Sequence, residues 1–200
     1  MKSKLLLSYN SKEKDISFAL NNFKKLSKNR YVDEFIFCTL TPQSNAKKCW
    51  EAVEKINKLK KINRKSLISI LKSRTRFHNN KSLYIIYNLK NWNKIRSNLN
   101  NKSIIELRNF IAENVKGYGL KEASHFLRNI GKSDNQIAIL DRHILRNLNA
   151  LNVIKDEKIK NNKHYFELEQ KFLNFSREIN IPIDNLDLFF WSQETGEIFK

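Results

Sequence analysis

"VKGYGLKEASHFLRNIGK", residues 115–132, holds three of the four glycines in a chain of 200 residues. In a sequence this poor in glycine, Gly117, Gly119 and Gly131 mark backbone that other residues resist. "KGYG" reads as a tight turn in which glycine can take positive φ and leave backbone N–H groups bare. "ENV" ends one helix before it, and "LKEASHFLRNI" forms a second helix after it, with Leu120, Ala123, Leu127 and Ile130 on one face. Gly131 closes that second helix. The unit is a helix, a glycine hairpin and a helix, and N–H groups at the start of the second helix suit a phosphate.

Outward from this segment the chain reads as all-α. Two prolines and four glycines leave little material for hairpins between strands, and apolar residues recur at intervals of three and four. The periodicity predicts helices over 15–28, 32–40, 42–59, 64–73, 81–96, 103–115, 120–130, 141–151, 164–179 and 183–196. At Thr41 and Pro42 a threonine N-cap followed by proline at the first helical position predicts a helix start. There is no repeat and no Pro/Ser-rich linker, so 1–200 reads as one unit made of two helical lobes with a cleft between them: 31–136, containing the hairpin 115–131, and 1–30 with 137–200.

Against 20 Asp and Glu stand 38 Lys and Arg, a formal net charge of +18. Such a field favours a polyanion, with nucleic acid first and an anionic membrane second. Enrichment in Lys and Asn through base composition is the plainer alternative. Cys38 and Cys49 form no CxxC and the four histidines no ligand spacing, so no metal, cluster or cofactor is expected. Two cysteines in a chain of this size read as reduced thiols in the cytoplasm. The apolar run near the N-terminus is too short for a signal peptide, and none reaches the ~18 residues of a membrane span. A monomer in solution, away from membranes, is the expectation.

Lys121 falls in the first turn of the second hairpin helix, where the positive end of the macrodipole opposes an ammonium charge. A neutral amine is a nucleophile; the alternative is one more solvated lysine. Twenty residues on, Asp141 in "AILDRHILRNL" precedes an amphipathic helix and reads as its N-cap. A capping carboxylate is also fixed in orientation, as stabilising a developing positive charge requires.

"KGYGLKEASHFLRNIG" followed by "ILDRHILR" resembles the helix-hairpin-helix and Gly/Pro-Asp signature of the base-excision DNA glycosylases. The wording is similar to the archaeal-type 8-oxoguanine DNA glycosylase/AP lyases, and "LTPQSNAKKCW" and "LDLFFWSQETGEIFK" extend the likeness over nearly the whole chain. One departure is "KSDNQIAILD", which has neither Gly nor Pro where the general signature is rich in them. The resemblance implies the HhH-GPD fold, duplex DNA containing 8-oxoguanine as partner and intracellular, nucleoid-associated work. It implies that Lys121 attacks C1′ and cuts the strand by β-elimination through a Schiff base, with Asp141 supporting it.

A flipped base must also be held. The resemblance implies Trp191 stacking on the purine and the terminal carboxylate of Lys200 accepting from its Watson–Crick edge. Phe77 is a candidate for the opposite stacking face. Asp187, one turn before Trp191, is a helix-surface charge or a pocket acceptor. Gln43 is a candidate to fill the gap left by the base, and Gly117 and Gly119 to meet the DNA backbone. "KSRTRFHNNK", residues 72–81, interleaves four basic residues with an aromatic, as a backbone-binding surface does. The alternatives are a glycosylase for another lesion, or a non-catalytic helix-hairpin-helix DNA-binding module.

Overall fold

The computed structural model describes residues 2–200. Those residues form helices joined by turns, with no strand among them. They fall into two compact units, Ser27–Phe126 and a second made of Met1–Leu26 with Leu127–Lys200.

The terminal unit opens with α1, Lys2–Asn10, which the sequence reading missed, and α2, Glu13–Lys24. The central unit begins with α3, Tyr31–Leu40, apolar on nearly every side and buried at every position but one. A helix apolar all round belongs inside. Phe35 at its centre packs on Trp92, Tyr118 and Phe126. α4, Ala46–Asn57, and α5, Arg64–Leu71, follow with asparagine caps: Asn45 accepts from Lys48 N–H, and Asn63 from Ser66 N–H. α6, His78–Lys90, and α7, Trp92–Asn98, replace the single predicted helix over 81–96, with a break at Asn91. α8, Ile104–Asn114, starts at a reciprocal capping box between Ser103 and Glu106.

The expected helix start at Thr41 is a helix end. Thr41 N–H donates to Phe37 O at 3.0 Å, finishing α3, and Pro42 follows because it cannot continue a helix. The next helix waits until Asn45 caps it.

α9, Leu120–Asn129, contains the boundary between the units, which falls at Phe126 rather than at the expected 136. The residues just beyond Phe126 pack with the chain termini: the Arg128 guanidinium lies 5.2 Å from the Phe23 ring centroid, and a Cβ at Gly131 would come within 2.6 Å of Lys24 Cα. With φ at +68°, Gly131 ends α9, and Lys132 N–H donates back to Leu127 O at 2.8 Å.

The terminal unit continues with α10, Arg142–Ala150, α11, Asn162–Glu178, and α12, Ile183–Thr195. α12 is its buried axis, with Phe189 edge-on to Tyr9 and Phe190 stacked on Phe172. No helix of the described residues is long and apolar enough to cross a membrane.

Candidate active site

α8 ends as Val115 N–H donates to Ile111 O, and Tyr118 N–H closes the hairpin on Val115 O at 3.2 Å. Gly117 takes φ +83°, and a Cβ there would lie 2.5 Å from the Tyr84 ring. Only glycine meets both conditions. Asn88 of α6 grips the neighbouring residue from both sides: its Nδ2 donates to Lys116 O at 3.0 Å, and Lys116 N–H donates to its Oδ1 at 2.9 Å. Tyr118 is buried and donates its hydroxyl to Phe35 O at 2.7 Å; burial holds that phenol well above its ordinary range, so it stays a neutral donor.

Lys121, the second residue of α9, stands on this frame with its side chain partly exposed. Its Nζ is 2.8 Å from Glu122 Oε1, and Glu122 Oε2 accepts from Gly119 N–H at 3.1 Å. Glu122 therefore ties the hairpin to the lysine. Here the structure departs from the bare N–H expected at Gly119, which has no positive φ and whose donor meets this carboxylate.

Asp141 caps α10 as expected. Its Oδ1 accepts from His143 N–H at 2.8 Å and Ile144 N–H at 2.9 Å, which fixes the carboxylate plane and leaves Oδ2 without a donor among the described residues. The preceding segment turns without glycine or proline because Asp134 and Asn135 take φ +46° and +56°. These residue types tolerate the left-handed region best after glycine. Asn135 also accepts from Asp184 N–H at 3.2 Å, and Asp184 from Ser133 Oγ at 2.6 Å.

Asp187 is not a surface charge. It is buried 3.2 Å from Arg128 Nη2. Burial pushes its carboxyl up to about 7, against the opposing pull of Arg128 and with help from the like charges of Asp141 and Asp184. Trp191, one turn on, is half-buried, as is Lys200, while Phe189 and Phe190 are core. His125 packs on Phe37 with ring centroids 5.7 Å apart, and His143 Nδ1 lies 3.3 Å from Glu194.

Gln43 and Phe77 are both exposed, Phe77 by 53% despite its size. Both sit in the left-handed region, at φ +54° and +56°, where the other non-glycine residues described are all Asp or Asn. Of the basic run over 72–81, Lys72 and Arg76 lie on the surface. Lys81 does not: it is 4% exposed and its Nζ donates to Leu40 O, Pro42 O and Thr75 Oγ1, each at 2.7 Å, and to Ser44 Oγ at 3.0 Å.

The family model described as "8-oxoguanine DNA glycosylase" (Ogg-HhH) matches residues 14–181. The chain belongs to that family. The 8-oxoguanine DNA glycosylase/AP lyase of Fusobacterium nucleatum is 42% identical over 177 residues, 84% of this chain and 81% of the relative. The crystal structure of the Methanocaldococcus jannaschii 8-oxoguanine DNA glycosylase aligns at a TM-score of 0.88 and 32% identity, over 100% of this chain and 95% of that one. A crystal structure of the M. jannaschii 8-oxoguanine glycosylase/lyase with a 15mer DNA containing 8-oxoguanine aligns at 0.87 and 30% identity, over 98% and 100%.

Within this family frame the sequence reading missed Asn88, Glu122 and Lys81. Glu122 carries a local signal, a carboxylate three residues after Gly119 at a helix start. Asn88 and Lys81 carry none, because their partners are remote in sequence.

Proposed function

We propose that this chain excises 8-oxoguanine from duplex DNA and cuts the strand at the abasic site it creates, with Lys121 as nucleophile and Asp141 as supporting carboxylate. The Nζ lone pair forms a bond to C1′ as the C1′–N9 bond breaks, and the base leaves with that electron pair and takes up a proton. Ring opening gives a protonated imine between Lys121 and C1′. Loss of a C2′ proton then expels the 3′-phosphate, and water hydrolyses the imine to regenerate the lysine. Before attack the ammonium must lose a proton, and Glu122 Oε1, 2.8 Å away, is its nearest acceptor.

Asp141, held by two N–H groups, supplies a fixed negative charge as the sugar becomes oxocarbenium-like. That preorganised carboxylate is the observation that carries the reading, since a module that only grips phosphate would gain from this anion a helix cap and nothing toward the DNA. Trp191 and Phe77 are the proposed stacking surfaces, the terminal carboxylate of Lys200 the acceptor for the Watson–Crick edge, Asp187 a further acceptor in the pocket, and Gln43 the side chain for the gap. The test is to mix the protein with duplexes carrying one 8-oxoguanine opposite cytosine, one oxidised pyrimidine, or no lesion, and to identify the released base by mass spectrometry. Free 8-oxoguanine with a β-eliminated strand supports the reading. Release of the pyrimidine alone would move the enzyme to another lesion, and binding without release would leave the non-catalytic module.

A further inference from the structure

Lys81 is a buried cation that the glycosylase chemistry does not use. Its ammonium has three hydrogens and four oxygen acceptors at 2.7–3.0 Å. Leu40 O ends α3, Pro42 O and Ser44 Oγ belong to the turn that follows it, and the fourth acceptor, Thr75 Oγ1, belongs to the turn before α6. The turns are also joined directly, with Ser44 Oγ 2.8 Å from Thr75 Oγ1 and Arg76 N–H donating to Ser44 Oγ at 3.0 Å.

Each turn carries an exposed side chain on left-handed backbone, Gln43 in one and Phe77 in the other. A non-glycine residue in the left-handed region costs on the order of 1–3 kcal/mol and persists only where its surroundings over-determine it. A buried ammonium is itself a poor way to gain stability, because its desolvation offsets its attractions. Two strained turns and an unneeded buried charge, fastened at one point, describe a device for holding Gln43 and Phe77 in place.

We infer that Lys81 is a positioning residue, its ammonium clamping the Leu40–Ser44 turn to the Thr75–Phe77 turn so that Gln43 and Phe77 are presented, pre-shaped, to the damaged duplex. The inference rests on the glycosylase reading, to which it adds how base extrusion is prepared. Excision of a stacked base depends on these two side chains more than cleavage at a site that has already lost its base. Charge on Lys81 is part of the clamp, since the neutral amine has one donor fewer. Lys81 is faced by Cys49 of α4, Lys121 and Glu122 of α9 and Arg76 of the adjoining turn; burial, foremost among the influences, brings its ammonium down to about 8. Burial raises the Cys49 thiol to about 11, so it faces Lys81 as a neutral group at physiological pH.

The experiment measures, on the same preparations, single-turnover release of 8-oxoguanine from a duplex and strand cleavage at a preformed abasic site. Lys121 serves both steps, so a change in its own reactivity cancels in their ratio. Lys81→Met is expected to lower the ratio of excision to abasic cleavage about tenfold or more, a misplacement effect of the kind that costs up to ~100-fold. In the wild type the ratio should hold below pH 8 and fall above it, as Lys81 loses its proton, and in Lys81→Met it should be flat. Should a melt show Lys81→Met unfolded, Thr75→Val, which removes one acceptor of Lys81 together with the threonine's own links to Ser44 Oγ and Leu40 O, must lower the ratio and flatten its fall above pH 8. A ratio unchanged in a folded Lys81→Met or in Thr75→Val, with wild type active, would overturn the inference alone. Wild-type protein that releases no 8-oxoguanine would overturn the glycosylase reading and this inference with it.

Discussion

The hairpin at Lys116–Gly119 and the turn at Pro42–Ser44 lean on one face of α6, which offers Lys81 to the second and Tyr84 and Asn88 to the first, at helical spacings of three and four. They solve the same problem in opposite ways. The hairpin reaches positive φ with glycine and is held by side-chain acceptors and donors, Asn88, Tyr118 and Glu122, with no buried cation among them. The turn reaches positive φ with Gln43, whose side chain is proposed to fill the gap left by the base, and a buried cation donates to the turn at Pro42 O. Where function needs only a backbone conformation, glycine supplies it; where function needs a side chain on that conformation, the surrounding structure must supply the restraint.

The largest test of that contrast is Gly117→Ala. The alanine meets both a left-handed backbone and a Tyr84 ring 2.5 Å from its Cβ, so unfolding free energy should fall by about 2–3 kcal/mol in denaturant titration. A loss under about 0.5 kcal/mol would show that the hairpin is not built as described. Gln43→Gly should go the other way. Relief of strain offsets the added freedom of the unfolded chain, giving a change between zero and a gain of about 1 kcal/mol, while 8-oxoguanine excision declines. A clear loss of stability would mean that Gln43 is not strained.

A smaller effect concerns Asp187, another buried ionisable group. Its folded carboxyl titrates near 7 against an ordinary 3.8, so the folded protein keeps a proton that the unfolded chain has released across that window. This contribution to stability is present below pH 4 and is lost as pH rises through 7. Melting temperatures of Asp187→Asn should therefore drop less between pH 4 and 7 than those of the wild type; parallel curves would remove Asp187 from the buried, proton-holding role.

These contrasts also explain what the sequence made legible. The hairpin, the helix end at Gly131 and the cap at Asp141 are local, with cause and consequence within a few residues. At Thr41–Pro42 the same local grammar reads both as a start and as a stop, and tertiary context chose the stop. α1 escaped because its apolar residues form no clear stripe, leaving only Leu5 and Tyr9 buried. Lys81 looked like part of a basic surface because its acceptors at Leu40 and Pro42 come from another helix end, and no periodicity records such a partnership.

The central claim is that Lys121 forms a covalent bond to the damaged strand. Borohydride added during reaction with a duplex bearing 8-oxoguanine opposite cytosine should reduce the imine to a stable adduct, and peptide mapping should place the nucleotide on Lys121. Lys121→Gln should give no adduct and lose strand cleavage by at least about a thousandfold, in keeping with removal of a covalent nucleophile, while still binding the duplex. An adduct on another residue, or cleavage surviving in Lys121→Gln, would contradict the account.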